Sequence, residues 1–133
     1  MTRFVVDAPV AIQLATEATS IAAGHALVAP ALLRSQVLAI TYAAVREGTM
    51  EQRDAKRVLD GIRSLRIRLL GDRVLQYTAW NVARTLDWPD TYRAEYIALT
   101  QLQADALVTF DKELSEAAST LVRVAALDEL GQP

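Results

Sequence analysis

Several features are scarce or missing in this sequence of 133 residues. It contains no cysteine, which excludes disulfide bonds and thiolate metal sites and fits a reducing compartment. No apolar run reaches the roughly 18 residues that a membrane span needs, and no signal peptide is evident. We therefore expect a cytoplasmic protein without a membrane partner. The formal net charge is only -2, so any contact with nucleic acid must come from a local basic patch.

Histidine is nearly absent as well. His25 is the only one, and a lone histidine without acid or serine partners is more often structural than catalytic. The sequence has no glycine-rich phosphate loop and no Ser-His-Asp set. These absences remove the commonest motifs of nucleotide-binding proteins and serine hydrolases.

The residues that are present describe a globular chain. Hydrophobic residues make up 52% and charged residues 23%, which fits one domain spanning residues 1–133. Apolar runs alternate with segments of helical periodicity, and such alternation predicts an α/β fold. We expect three α/β/α layers around a central, mostly parallel sheet of four to five strands. Strands are predicted at Phe4–Val6, Ile67–Leu70, Ala106–Thr109 and Leu121–Ala125, with His25–Ala29 as a further extended candidate. Helices are predicted from Pro9 to Ala18, from Pro30 to Glu47, from a Thr49 capping box to Leu65, from Asp72 to Leu86, over Tyr92–Leu102 and over Lys112–Ala118.

Two carboxylates follow predicted strands. Asp7 comes directly after the first strand, and Asp111 follows the strand that begins at Ala106. In an open α/β sheet, ligands bind beyond the carboxyl ends of the strands, so both side chains are candidates for one site. The alternative is that each serves only as a strand-end or helix-cap residue.

Four blocks of this sequence resemble the PIN domain, and in particular the VapC-type toxins of bacterial toxin–antitoxin pairs. The blocks are Val5-Val6-Asp7-Ala8, Pro30-Ala31-Leu32-Leu33, Tyr92-Arg93-Ala94-Glu95-Tyr96-Ile97-Ala98-Leu99 and Leu107-Val108-Thr109-Phe110-Asp111. The last two blocks at this spacing are the more specific. The resemblance covers essentially the whole chain and implies a PIN-like domain over residues 1–133.

The resemblance implies a nuclease site with unexpected residues. Such proteins are Mg²⁺- or Mn²⁺-dependent ribonucleases, in which three or four acidic residues hold the metal and the metal activates a water. The first and fourth acidic positions fall on Asp7 and Asp111, which would be the catalytic, metal-binding residues if a metal is retained. The second and third positions fall on Gln36 and Arg93, so two of the four carboxylates are missing.

Arg93 suggests the hypothesis that a guanidinium between Asp7 and Asp111 takes the place of the metal. The alternative is that Arg93 points to solvent as an ordinary helix charge. Thr109, Asp90 and Glu113 are candidates for supporting the site. Thr109 would donate a hydrogen bond to a site carboxylate or a phosphate, or would serve only a structural role at the end of its strand. We expect Asp90 to cap a helix and Glu113 to lie on the surface.

Aromatic and basic residues outside these blocks give weaker signals. Trp80 lies amid helical apolar spacing, which favours packing in the core or between helices. Trp88 lies in a loop and is expected to be more open. The run Arg63, Arg66, Arg68 and Arg73 is typical of a solvated face, with an RNA track as the minority interpretation.

Three functions remain open at this point. The chain is an active Mg²⁺-dependent endoribonuclease toxin using Asp7 and Asp111, a degenerate PIN protein with weak or no activity that acts by binding, or a relic without activity. The hydrolase assignment is therefore undecided, and the cofactor is Mg²⁺ or Mn²⁺ by resemblance, or none. The resemblance also implies a homodimer and a VapB-type antitoxin as partner, with RNA as a further candidate.

Overall fold

The computed structural model describes all residues from Met1 to Pro133. The strands are β1 (Thr2–Val6), β2 (His25–Pro30), β3 (Arg68–Leu70) and β4 (Ala106–Val108). The α-helices are α1 (Ala8–Glu17), α2 (Leu32–Glu47), α3 (Gln52–Ser64), α4 (Arg73–Thr85), α5 (Tyr92–Gln103) and α6 (Lys112–Ala118), and a 3-10 helix spans Leu127–Gly131.

All strand pairs of the sheet are parallel, and the strand order is β3-β2-β1-β4. Parallel strands require crossover helices, which cover both faces of the sheet. Helices α1, α2 and α3 pack against one another, and α4 packs against α5. The predicted three-layer α/β/α architecture with a parallel sheet is confirmed, with four strands.

The order of the strands places β1 at a switch point. The chain runs outward from β1 to β2 and β3, then returns across the sheet to place β4 on the other side of β1. Connections that leave in opposite directions open a crevice at the carboxyl ends of the two central strands. That crevice lies between the ends of β1 and β4.

The core follows from the strand sequences. Phe4, Val5 and Val6 of β1 and Leu107 and Val108 of β4 are all fully buried. Continuous apolar runs of this kind are typical of strands that are covered on both faces. Several helices begin at an aspartate whose carboxylate accepts a backbone N–H, and these caps are Asp7 for α1, Asp72 for α4 and Asp111 for α6.

Some predicted elements differ from the structure. Leu121–Ala125 is not a strand of the sheet, because only an isolated bridge between Val124 and Leu107 forms there. The Thr49 capping box is wrong, because Thr49 donates to the carbonyl of Ala44 behind it and α3 begins after Glu51 without a side-chain cap. Helix α2 begins at Leu32, since Pro30 still belongs to β2.

Trp80 is a further correction, because its side chain is 65% exposed rather than packed in the core. The buried stripe of α4 consists of Leu75, Ala79, Val82 and Ala83, and Trp80 lies beside it. None of the helices has the length and apolar character needed to cross a membrane.

Candidate functional site

A cleft of about 280 Å³ opens at the switch point between β1 and β4. Its polar lining consists of Asp7, Gln36, Arg93, Tyr96 and Asp111. The structure therefore brings together four residues that sequence analysis had assigned to one site. They come from the ends of two strands and from α2 and α5, which are distant in sequence but converge here.

Asp7 lies at the bottom of this cleft and is only 6% exposed. One carboxylate oxygen accepts the backbone N–H of Val10 at 3.1 Å, which caps α1. The other accepts the hydroxyl of Thr109. Burial raises the pKa of Asp7, partly offset by these hydrogen bonds, and the nearby charge of Asp111 raises the pKa further. Both oxygens of this carboxylate are thus already engaged by protein donors.

Thr109 links the two aspartates. Its hydroxyl donates to Asp7 and accepts the backbone N–H of Asp111 at 3.1 Å. One hydroxyl therefore serves as donor to one acidic residue and acceptor for the next, which fixes the end of β4 against the end of β1. This is the contact with a site carboxylate that the sequence suggested for Thr109.

Asp111 has a structural contact of its own. One of its oxygens accepts the backbone N–H of Leu114 at 3.0 Å and caps α6. Its other oxygen lies 3.9 Å from a guanidinium nitrogen of Arg93. The side chain of Asp111 is 42% exposed, so this ion pair is well solvated.

Arg93 points into the cleft and not into bulk solvent, with 32% of its side chain exposed. Its guanidinium lies 3.2 Å from the carboxylate of Glu113 and 4.6 Å from the ring centroid of Trp88. A cation held over an indole face is stabilised by the ring quadrupole. The loop tryptophan, the α5 arginine and the α6 acids therefore form one cluster at the mouth of the cleft.

The expected bridge from Arg93 to both aspartates is wrong in one respect. Arg93 forms ion pairs with Asp111 and Glu113 and none with Asp7. The physical reason is that Asp7 is buried and already satisfied by Thr109 and Val10, whereas the acids at the start of α6 are accessible to a long side chain. Glu113, predicted to lie on the surface, is indeed 72% exposed, yet it forms the shortest ion pair of Arg93.

Gln36 is held by a residue that sequence analysis did not assign to the site. The hydroxyl of Tyr96 donates to the side-chain carbonyl of Gln36 at 2.5 Å. Tyr96 is 2% exposed, and its pKa is raised by burial first and by the charge of Asp7 second. Tyr96 follows Arg93 by three residues and so shares its helix face, which is the signal that could have found it.

Two other carboxylates near the start of α5 lie outside the lining of the cleft. Asp90 accepts the backbone N–H of Tyr92 at 3.2 Å, so it serves the first turn of α5 as expected. Glu95 is partly buried, and desolvation raises its pKa. Neither residue lines the cleft.

The residues of the cleft do not fit a divalent cation. Mg²⁺ prefers an octahedral set of oxygen ligands, several of them from carboxylates and water. Here only two carboxylates line the cleft, each Asp7 oxygen accepts one hydrogen bond, and Asp111 divides its oxygens between a helix cap and Arg93. No group of three or more histidine, cysteine or acidic side chains is arranged to hold a metal ion. Asp7, Asp111 and Arg93 together carry a formal charge near -1, too little to attract such an ion strongly.

Comparison with known proteins supports the fold and leaves the function open. No family model matches the chain, and no curated protein matches it. Among solved structures, the chain is similar to the crystal structure of PAE2754 from Pyrobaculum aerophilum, with a TM-score of 0.74 and 20% sequence identity. The alignment covers 97% of this chain and 92% of the other. At this level of identity the likeness shows a shared fold.

Proposed function

We propose that this chain is a PIN-like protein of the VapC toxin type whose ancestral ribonuclease activity is weak or absent and which acts by binding. The observation that carries the proposal is the placement of Arg93. At the position where the resemblance calls for a metal-binding aspartate, a guanidinium lies 3.9 Å from Asp111 and 3.2 Å from Glu113. The resemblance implies a strongly acidic cleft, whereas Asp7, Asp111 and Arg93 in this cleft sum to a formal charge of -1.

Electrostatic repulsion from Arg93 disfavours the binding of a metal ion in the cleft. Two unit charges about 4 Å apart interact by about 1 kcal/mol in water and by about 4 kcal/mol at an effective dielectric constant near 20, and a divalent ion doubles these values. A metal ion beside Asp111 would meet this repulsion from Arg93 unless the guanidinium moved away. Moving it would break its contacts with Glu113 and Trp88. The site therefore opposes a cation at the point where catalysis would need one.

The proposed partners of this chain rest on the resemblance to VapC-type toxins, and the charge of Arg93 bears on how a partner would enter the cleft. A VapB-type antitoxin is the proposed partner, with a homodimer as the proposed assembly and RNA as a further ligand. The guanidinium of Arg93 at the cleft mouth would repel a basic side chain entering from a partner. We therefore expect a partner segment that enters this cleft to present an acceptor or a carboxylate instead of an arginine or lysine.

The test is an RNA cleavage assay with the purified chain and with the Arg93→Asp/Gln36→Glu double variant. Each protein is incubated with a labelled RNA in Mn²⁺, in Mg²⁺ and in EDTA. The proposal expects no metal-dependent cleavage by the unmodified chain and cleavage by the double variant that EDTA abolishes. Cleavage by the unmodified chain that requires metal and disappears in Asp7→Asn would instead establish an active endoribonuclease using Asp7 and Asp111.

A further inference from the structure

A second concave surface lies away from the cleft, between α2, α3 and the edge strand β3. This groove has a volume of about 610 Å³, within the range typical of binding sites. Its lining is mostly apolar and includes Leu38, Leu59, Ile62, Ile67 and Leu69. Leu38 is 58% exposed, so part of this apolar lining faces solvent.

Three arginines border this groove: Arg34 on α2, Arg63 near the end of α3, and Arg66 in the turn that follows. None of them forms an ion pair with an acidic side chain of the chain, whereas Arg53, Arg93 and Arg123 do. The groove therefore combines apolar surface with three guanidiniums that have unused donors.

Arg66 also has a strained backbone. Its φ angle is +55°, in the left-handed region that a residue with a Cβ adopts at a cost of about 1 kcal/mol. Glycine is the residue that this position at the end of a helix usually carries. An arginine here contributes charge to the groove at the expense of local backbone energy.

The charges of the chain are distributed unevenly along the sequence. Residues 33–73, which contain the groove, carry nine lysines and arginines against five acidic residues. Residues 74–133 carry four against nine. Within the two segments that supply the groove lining, 33–38 and 59–69, there are four arginines and one acidic residue, Asp60.

We propose that this groove binds an acidic amphipathic peptide segment of another protein, with apolar side chains against the apolar lining and carboxylates paired with Arg34, Arg63 and Arg66. A groove between two helices with several apolar lining positions suits one face of a helical segment. The groove has no aromatic side chain in its lining, so it lacks the stacking platform that single-stranded RNA binding uses. A twofold axis through the groove would bring the three arginines of two copies together, which disfavours a dimer centred on it.

The binding test uses a fluorescently labelled synthetic peptide of leucine and glutamate with leucine at helical spacing along one face. A second peptide has lysine in place of glutamate, and a labelled single-stranded RNA serves as the nucleic-acid probe. Anisotropy is measured against the unmodified chain. The proposal expects saturable binding of the glutamate peptide, about tenfold tighter than the lysine peptide, with an affinity that falls as salt is added.

Matched variants distinguish peptide binding at the groove from a nonspecific effect of the charge of the protein. Arg63→Glu is expected to weaken the glutamate peptide by at least about tenfold, whereas Arg46→Glu, at an exposed α2 position outside the groove, leaves its affinity nearly unchanged. Arg66→Gly removes a guanidinium while relieving the positive φ angle, so it should weaken binding and raise the melting temperature together. An unfolding artefact cannot produce that combination.

Several outcomes would overturn the assignment. They are the absence of saturable peptide binding, equal affinity for the lysine peptide, tighter binding of the RNA, and equal losses in Arg46→Glu and Arg63→Glu. Self-association that Arg63→Glu abolishes, measured by analytical ultracentrifugation, would assign the groove to a second copy of the chain. Because the groove shares no residue with the cleft, each of these results is independent of the RNA cleavage assay.

Discussion

If Arg93 takes the place of a metal ion, then exchanging Arg93 and Gln36 for acids should make the fold depend on metal. The double variant Arg93→Asp/Gln36→Glu places four carboxylates around one cleft in place of two. Tyr96 can still donate to position 36, since a glutamate oxygen replaces the amide oxygen that it contacts at 2.5 Å. The exchange therefore changes charge at the site with little loss of local packing.

The loss of folding stability in the double variant without metal can be estimated from the contacts that Arg93 makes. Its pair with Glu113, which is 72% exposed, contributes about 0.5 kcal/mol, and its stacking on Trp88 contributes about 0.5–1 kcal/mol. Repulsion among the added carboxylates costs about 1 kcal/mol more in a solvated cleft. We expect the double variant in EDTA to be about 2–2.5 kcal/mol less stable, a fall in melting temperature of roughly 8–10 °C for a chain of this length.

Divalent metal should reverse this loss in the double variant only. A ligand that binds the folded state alone stabilises it by about 2.7 kcal/mol at a concentration of 100 times its dissociation constant. Differential scanning fluorimetry over a series of MnCl₂ concentrations, with EDTA as the reference, measures both effects. The unmodified chain should show no saturable shift.

A single outcome would refute the reasoning: a saturable rise in the melting temperature of the unmodified chain with Mn²⁺ that is lost in Asp7→Asn. Arg84→Asp serves as the matched control, because Arg84 is an exposed helical arginine whose side-chain hydrogen bond is to a neighbouring asparagine. It introduces the same arginine-to-aspartate exchange outside the cleft and should gain no metal response.

Three further predictions concern the cleft and the helix ends. Thr109→Val leaves the buried Asp7 oxygen without its hydroxyl donor, and we expect a loss of about 1–3 kcal/mol in urea unfolding. Burial raises the pKa of Asp7 in the folded state above 3.8, so the folded state binds the proton more tightly than the unfolded state. The contribution of Asp7 to stability is therefore most favourable below pH 3.8 and is lost as pH rises through the folded pKa. Asp7→Asn, which keeps a capping oxygen for Val10, should consequently be at least as stable as the unmodified chain at pH 7 and less stabilised by acid, as followed by urea midpoints across pH. Ala18→Gly should raise stability by about 0.5–1 kcal/mol in the same assay, because Ala18 ends α1 at a φ angle of +50°, and an unchanged midpoint would contradict this reason.

The layered fold could be predicted because its signals are local. Runs such as Phe4–Val6 and Ala106–Val108 are apolar without alternation, which is typical of buried parallel strands, and aspartates mark the starts of three helices, with Pro9 in the first turn of α1. The segment Leu121–Ala125 carries the same kind of signal but forms only one bridge. Whether a short apolar run pairs along its whole length with the edge strand β4 depends on tertiary packing, which the local sequence does not determine.

The candidate site was predictable in its members but less so in its contacts. Strand ends located Asp7 and Asp111, and helix periodicity placed Arg93 on the inner face of α5. The reach of the Arg93 side chain depends on where the loop carrying Trp88 and the start of α6 lie, which is a matter of tertiary packing. Tyr96 was not assigned to the site, because its contact with Gln36 joins residues 60 positions apart and depends on how α2 and α5 pack.

The two acidic residues of the cleft, Asp7 and Asp111, cap helices, and this structural role does not depend on metal. Asp7 accepts the N–H of Val10 at 3.1 Å and Asp111 that of Leu114 at 3.0 Å, and each such cap contributes about 1 kcal/mol to folding. Gln36 lies beyond the first turn of α2, whereas Arg93 is the second residue of α5, in a first turn where a carboxylate would be more favourable than a cation. The caps thus account for hydrogen-bonding side chains at positions 7 and 111 without a metal, whereas they give no reason for an arginine at position 93. The proposal of weak or absent hydrolysis therefore rests on Arg93 and its pairs with Asp111 and Glu113, and the presence of the two aspartates does not argue against it.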